Sequence, residues 1–153
     1  MKVWIMRHGD APYIDGERQL SELGKQDVAQ MGQRLAEILK EQELELEVML
    51  ASPYLRAQQT ADIVEQQLMT AKVRPFLTEQ EPLLRSESDP EMTASYIEAL
   101  PQSTILLVSH MPLVANLLAS WLPGQGRYFP TSAIAEIEFV GGKPKLTNFY
   151  EPQ

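Results

Sequence analysis

Three short runs of this chain are apolar almost throughout and end in polar residues, a pattern typical of strands buried in a sheet. They are Lys2–Arg7, residues 47–52 and Thr104–Ser109. Segments with the spacing of helices separate and follow them: 21 to about 41, 52 to about 68, 91–100 and 111–122. Strands that alternate with helices predict βαβ units. We therefore expect an α/β fold with a mostly parallel central sheet and helices on both of its faces.

The chain is predicted to form one domain over residues 1–153, because it contains no repeat and no linker rich in proline, glycine or serine. Hydrophobic residues make up 44% of it, which is sufficient for one core. Further strands are predicted at 72–77, 133–140 and 145–150, and loops at 8–20 and 78–90.

Composition excludes several classes of function. The net charge is −8 and lysine and arginine form no cluster, so we expect no nucleic-acid partner. No apolar stretch approaches the length of a membrane span, and the apolar run near the N-terminus is too short for a signal peptide. The chain has no cysteine, which excludes thiolate chemistry and fits a reducing compartment. We expect a monomer in the cytoplasm with no membrane partner.

Each of the two histidines follows directly after a predicted strand. His8 comes after the first strand, and His110 comes after the strand that reads TILLVS. Arg7 ends the first strand, and Arg56 lies about one turn after the second. Ligands of parallel α/β sheets bind beyond the carboxyl ends of the strands. We therefore expect these four side chains to meet at one edge of the sheet.

Two guanidinium groups and two imidazoles form a set suited to phosphoryl transfer. Guanidinium groups offer planar forks of donors that match phosphate oxygens. A neutral imidazole nitrogen can attack phosphorus, and a protonated second imidazole can donate to a phosphoryl oxygen. The helix that begins near Pro53 can add free N–H groups at its positive end. No HxH or HExxH spacing occurs and arginines repel cations, so neither a metal nor another cofactor is expected.

Several motifs occur in order along the chain: RHG at residues 7–9, LSELG at 20–24, SPYLRAQQT at 52–60 and SH at 109–110. Together they resemble the histidine phosphatase superfamily, also called phosphoglycerate-mutase-like, over nearly the whole chain. RHGDA at 7–11, SHMPLV at 109–114 and TSAIA at 131–135 further resemble the SixA-type phosphohistidine phosphatases of bacteria. The resemblance implies an enzyme that hydrolyses a phosphoryl group from a phosphohistidine.

The resemblance also implies a role for each of the four residues. His8 would be the nucleophile that takes the phosphoryl group, and Arg7, Arg56 and His110 would bind that group. Water would then hydrolyse the phosphohistidine enzyme. A non-catalytic phosphoprotein-binding relative that keeps the pocket is one alternative, and a metal-dependent hydrolase is another.

Two more residues are predicted to contact the substrate. Arg18 precedes the LSELG segment, where SixA-type proteins carry an arginine near the pocket, and Ser132 is a small polar residue beside the predicted pocket. Many members of the superfamily also use a carboxylic acid to protonate the leaving oxygen. Here the segment TEQEPLLRSESDPE offers Glu81, Glu87 and Asp89, and none of them stands out. A missing acid favours a leaving group such as imidazole, whose conjugate acid has a pKa of about 6.5.

The short loop at residues 78–90 bears on the size of the substrate. It has no room for the helical lid of the small-metabolite mutases of the superfamily, and an uncovered site admits a residue that projects from another folded protein. The resemblance therefore implies a phosphorylated histidine-phosphotransfer domain or sensor kinase as the partner. A small-molecule phosphomonoesterase or sugar-phosphate mutase stays open as the second interpretation.

Overall fold

Eight strands occur in the computed structural model, which describes all of residues 1–153. They are β1 (Lys2–Arg7), β2 (Tyr13–Ile14), β3 (Glu17–Arg18), β4 (Val48–Ala51), β5 (Leu77–Gln80), β6 (Thr104–Ser109), β7 (Ile134–Val140) and β8 (Lys143–Tyr150). β2 and β3 pair only with each other, and the other six form one sheet in the order β5–β4–β6–β1–β7–β8. Neighbouring strands are parallel from β5 to β1 and antiparallel from β1 to β8.

Helices cover both faces of this sheet. They are α1 (Glu22–Glu41), α2 (Leu55–Thr70), α3 (Pro90–Glu98) and α4 (Leu113–Trp121), with a short 3₁₀ helix at Pro82–Leu84. Alternate residues of β1 point to opposite faces, so Trp4 packs with α1 and α2 while Ile5 packs with α3 and α4. The predicted α/β fold, with a mostly parallel sheet between two helical layers, is confirmed. None of the helices is both long and apolar enough to cross a membrane.

The start of α1 holds the segment that follows β1. Ser21 caps this helix, because its Oγ accepts a hydrogen bond from the Gly24 N–H at 3.0 Å, and the same hydroxyl donates to Asp10 Oδ2 at 2.7 Å. A Cβ on Gly9 would lie 2.6 Å from Val28 Cγ2, and a Cβ on Gly24 would overlap the Asp10 carbonyl oxygen. The two glycines therefore allow a close approach that fixes the path of the chain after β1.

The strand predicted after the second helix lies later in the chain than expected. The apolar pattern placed it at residues 72–77, but β5 spans Leu77–Gln80, at the start of the predicted loop. Lys72 has a left-handed φ of 62° and Pro75 has no N–H to donate, so this segment forms a connection instead of a strand. β5 is an edge strand with exposed side chains and carries no apolar signal. The β2–β3 hairpin likewise lies within the predicted loop at 8–20.

Glu136 of β7 is a buried carboxylate within the sheet. It accepts hydrogen bonds from Trp4 Nε1 at 3.0 Å, Gln42 Nε2 at 2.9 Å, Thr147 Oγ1 at 2.6 Å and Asn148 Nδ2 at 3.0 Å. Burial alone raises the pKa of this carboxyl group, but the hydrogen bonds outweigh burial and lower the pKa to about 2. The charged carboxylate therefore joins β7, β8, β1 and the end of α1.

Candidate active site

The ends of β1 and β6 bring the two histidines together. Arg7 and Ser109 are register partners at the ends of these parallel strands, so His8 and His110 leave the sheet side by side. The His8 N–H donates to the Ser109 carbonyl at 2.9 Å, and the two imidazole rings have centroids 5.1 Å apart. The structure thus places the two histidines where the strand pattern predicted, at the carboxyl edge of the sheet.

The connection from β4 to α2 completes the same edge. Ser52 follows β4, and Arg56 lies in the first turn of α2. The Tyr54 ring lies between His110 and Arg56. Its centroid is 5.1 Å from the centroid of the His110 ring and 5.1 Å from the Cζ atom of Arg56. All four predicted side chains therefore lie together at this edge, where the charges of both Arg7 and Arg56 act on His8. We refer to this cluster of four side chains as the pocket.

His8 is held as a neutral imidazole with a defined tautomer. Only 2% of its surface is exposed, and its Nδ1 lies 2.7 Å from the Gly9 carbonyl oxygen. A carbonyl oxygen can only accept, so Nδ1 carries the hydrogen and Nε2 carries the lone pair. Burial, with a smaller contribution from the positive charges of Arg56 and Arg7, lowers the pKa of His8 to about 4. At neutral pH the ring therefore presents an unprotonated Nε2.

His110 is neutral as well, so the protonated form that could donate to a phosphoryl oxygen is not the one present at neutral pH. It is 1% exposed, and burial, followed by the effects of His8 and Arg56, lowers its pKa to about 3. Its Nε2 lies 2.7 Å from Ser52 Oγ, and its Nδ1 is buried without a hydrogen-bond partner. In the free protein, this ring can donate only through the single N–H of a neutral imidazole.

The two arginines leave donors available in the pocket. The Arg7 Nη1 donates to the Phe129 carbonyl at 2.8 Å and to the Tyr128 hydroxyl at 3.0 Å, which fixes one side of its guanidinium. The Nε atoms of both Arg7 and Arg56 are buried without a partner. Burial, followed by the charge of Arg18, lowers the pKa of Arg56. Unpaired guanidinium N–H groups beside two neutral imidazoles make a site for an anion with several oxygens.

The two predicted substrate contacts also lie at this pocket. Arg18 of β3 donates from Nε to the Ala11 carbonyl at 2.9 Å, and its charge acts on both histidines and on Arg56. Ser132 donates its N–H to the His8 carbonyl at 3.1 Å, and its Oγ is buried without a partner. Ser132 also has a left-handed φ of 68°, a strained conformation that is concentrated at functional sites.

The three candidate acids differ in their surroundings. Glu81 accepts a hydrogen bond from the Leu83 N–H and begins the 3₁₀ helix, and Asp89 caps α3. Glu87 accepts from the Tyr54 hydroxyl at 2.6 Å, which lowers the pKa of this carboxyl group to about 2, with Ser86 contributing less. The carboxyl group that contacts Tyr54 is therefore ionised at neutral pH. No group of three or more histidine or acidic side chains is positioned to hold a metal ion.

Two residues that the motif contains, but whose roles the sequence did not reveal, hold the pocket together. Thr60 Oγ1 accepts from the Gly9 N–H at 3.1 Å and donates to the Arg56 carbonyl at 2.9 Å. Gln59 Oε1 accepts from the Leu20 N–H at 2.8 Å. Both lie one turn after Arg56, on the face of α2 towards the loop that follows β1. This helical spacing was the one feature of the sequence from which their contact with that loop could have been predicted.

The comparison with protein families agrees with this geometry. Residues 3–82 match the model of the histidine phosphatase superfamily (branch 1), which is more than half of the chain. The chain belongs to the histidine phosphatase superfamily, and it is a phosphatase.

Within this superfamily, individual relatives that match the chain are phosphohistidine phosphatases. The chain is 36% identical to the phosphohistidine phosphatase SixA of Escherichia coli K12 over 144 residues, which cover 90% of this chain and 84% of SixA. It is 30% identical to the phosphohistidine phosphatase SixA homolog of Haemophilus influenzae over 156 residues, which cover 95% of this chain and 93% of the homolog. The solved structure of the protein histidine phosphatase SixA complexed with tungstate superimposes on this chain with a TM-score of 0.84 and 34% identity. The match covers 99% of this chain and 97% of the SixA chain. The resemblance to SixA-type proteins is thereby confirmed.

Proposed function

We propose that this protein hydrolyses N-phosphohistidine on a partner protein through a phosphohistidine intermediate on His8. The observation that carries the proposal is the position of His8, whose Nδ1 is bonded to the Gly9 carbonyl, beside the unpartnered Nε atoms of Arg7 and Arg56 and the unpartnered Nδ1 of His110. A nucleophile and the donors for the equatorial oxygens are what phosphoryl transfer requires. The proposed catalytic domain spans residues 1–153, acts as a monomer and works in the cytoplasm.

The first step transfers the phosphoryl group to the enzyme. The lone pair of His8 Nε2 attacks phosphorus in line, a P–N bond forms, and the P–N bond to the substrate imidazole breaks. The ring nitrogen of the substrate that does not carry phosphorus takes a proton from solvent before the P–N bond breaks, so the ring leaves as neutral imidazole with the electron pair of the broken bond. Arg7, Arg56 and His110 donate to the phosphoryl oxygens, with Arg18 and Ser132 as further contacts, and the positive charge of the guanidiniums stabilises the transition state.

The second step returns the enzyme to its starting state. A water molecule attacks phosphorus, its O–P bond forms as the bond to His8 Nε2 breaks, and inorganic phosphate leaves. The proton of the attacking water passes to solvent or to the phosphate, and the His8 ring again holds its lone pair on Nε2. The hydrogen bond from Nδ1 to Gly9 keeps the ring in one tautomer throughout.

The surroundings of the carboxylates support a phosphohistidine substrate. Alkoxide leaving groups need a proton from a general acid, whereas an imidazole departs with a conjugate-acid pKa of about 6.5. Glu81 and Asp89 are engaged in capping, and Glu87, with a lowered pKa, is ionised at neutral pH. Each of the three candidate acids is thus already engaged by other groups, which favours a leaving group that needs no acid.

The rim of the pocket supports a protein as the carrier of the phosphoryl group. Only residues 81–89 connect β5 to α3, which leaves no room in this connection for a helical lid. Tyr13, Leu55 and Tyr128 flank the pocket and are 77%, 37% and 64% exposed. Exposed apolar side chains around a pocket suit docking of a folded partner. We propose a phosphorylated histidine-phosphotransfer domain, or a sensor kinase that carries one, as in a phosphorelay; the similarity to SixA supports this choice.

A panel of substrates tests the proposal. Phosphate release is measured from a phosphorylated histidine-phosphotransfer domain, a phosphoserine peptide and a sugar phosphate. We expect release from the first substrate only, and no release by the His8→Ala variant. Arg56→Gln should lower the rate roughly 100-fold, whereas Arg34→Gln, an exposed arginine of α1, serves as the matched control. Preferred turnover of the sugar phosphate would contradict the proposal.

A further inference from the structure

The neutral state of His110 makes its tautomer decisive. A neutral imidazole has one N–H donor and one acceptor nitrogen. If Nδ1 carries the hydrogen, the ring can donate to a phosphoryl oxygen. If Nδ1 carries the lone pair, that lone pair faces the lone pairs of the anion's oxygens, and the two repel each other. Some contact must therefore select the tautomer.

Ser52 makes that contact. Its hydroxyl oxygen lies 2.7 Å from His110 Nε2 and accepts a hydrogen bond from the Tyr54 N–H at 3.3 Å. Ser52 is itself fully buried and held in place, because its N–H donates to Val108 and its carbonyl accepts from Gln58 Nε2 at 2.7 Å.

The hydrogen-bond inventory distinguishes the two possible directions of the Ser52–His110 bond. If His110 Nε2 donated, the hydrogen of the Ser52 hydroxyl would be buried without an acceptor, and Nδ1 would be a buried acceptor without a donor. If Ser52 donates to Nε2, its hydroxyl is satisfied both as donor and as acceptor, and one Nδ1–H is left. Each buried unsatisfied polar group costs about 1–3 kcal/mol. The second arrangement is therefore favoured.

We infer that Ser52 is a positioning residue that holds His110 in the Nδ1–H tautomer, so that this neutral ring donates to the transferring phosphoryl group. The inference rests on the proposed function for the identity of the ligand, but the tautomer itself belongs to the free protein. The two histidines then share one tautomer and present opposite atoms: His8 offers the lone pair of Nε2, and His110 offers the N–H of Nδ1.

The tautomer is measured directly by ¹H–¹⁵N correlation NMR of the histidine rings in the free protein near pH 7. We expect a protonated Nδ1 and an unprotonated, hydrogen-bonded Nε2 for His110. In Ser52→Ala the Nε2–H tautomer should become populated. The matched control is Ser109→Ala, which removes another buried hydroxyl, bonded to the Leu84 carbonyl at 2.6 Å, without touching a histidine ring. A protonated Nε2 in the wild type, or an unchanged tautomer in Ser52→Ala, would overturn the inference.

Kinetics provides a second readout. His110→Asn places an amide N–H near the position of Nδ1, and an amide has no tautomer to select. Ser52→Ala should therefore lower kcat in the wild type but have little further effect in the His110→Asn background. Ser52→Thr keeps the hydroxyl and should restore kcat. Equal losses in both backgrounds would refute the role of Ser52 in selecting the tautomer. If the NMR result holds while no phosphohistidine is hydrolysed, the proposed function fails and the tautomer assignment stands.

Discussion

The two buried histidines predict a loss of stability as the pH is lowered from 8 to 5. Burial lowers the pKa of His8 to about 4 and that of His110 to about 3, whereas both rings return to about 6.5 in the unfolded chain. Below pH 6.5 the unfolded chain therefore binds more protons than the folded one, and the free energy of unfolding decreases. The stability that the neutral rings contribute is present above pH 6.5 and is lost as the pH falls towards 4 and 3.

The magnitude follows from the pKa of the unfolded chain. At pH 5 each ring is about 1.5 pH units below its unfolded pKa, and each unit is worth about 1.4 kcal/mol, so each ring costs about 2 kcal/mol. The two rings together lower the free energy of unfolding by about 4 kcal/mol between pH 8 and pH 5. This figure depends little on the folded pKa values, because both lie well below pH 5.

Urea unfolding at pH 8, 6.5 and 5 measures this effect in the wild type and in the double variant His8→Asn/His110→Asn. The buffer contains no phosphate, because an anion bound in the pocket would add stability of its own. Other titrating groups are common to both proteins, so the difference between the two pH dependences isolates the histidines. We expect the wild type to lose about 4 kcal/mol more than the variant. Equal losses would show that the rings titrate near their ordinary pKa and would contradict the effect of burial on the two histidines.

Three other substitutions test the packing beside the site, the buried carboxylate and the candidate acid. Gly9→Ala places a Cβ 2.6 Å from Val28 Cγ2, so urea unfolding should show a loss of about 1–3 kcal/mol, together with a lower kcat. Glu136→Gln turns an amide N–H₂ towards existing donors and should destabilise the fold by about 2–3 kcal/mol, whereas the half-exposed Glu138→Gln should change it by less than about 0.5 kcal/mol. Glu87→Gln should lower kcat for phosphohistidine by much less than the roughly 100-fold that follows removal of a general acid. A loss of that size would identify Glu87 as the proton donor.

The convergence of the four main site residues was accessible from the sequence for a physical reason. Arg7, His8 and His110 stand at the ends of strands that are buried on both faces, and such strands have the strongest apolar signal in a chain. Parallel strands place their carboxyl ends at one edge, so order along the chain was enough to predict proximity. Arg56 followed from the position of the next helix.

The features that were missed have weak or nonlocal signals. β5 is exposed on its whole length, and the apolar residues before it pack on the core without forming a strand. The contact of Tyr54 with Glu87 joins residues 33 positions apart, and the direction of the Ser52–His110 hydrogen bond depends on burial of both partners. Neither contact leaves a periodic pattern or a motif in the sequence, because each joins segments that meet only in the folded chain: the β4–α2 connection with the β5–α3 connection, and the end of β4 with the end of β6.

The most direct test of the account is to trap the enzyme intermediate and locate its phosphoryl group. The protein is mixed with a phosphorylated histidine-phosphotransfer domain, quenched in base within one turnover and analysed by mass spectrometry and ³¹P NMR. The account predicts an acid-labile adduct on Nε2 of His8, because Nδ1 of that ring is bonded to the Gly9 carbonyl. An adduct on His110, an adduct on Nδ1 of His8, or phosphate release without any adduct would contradict it.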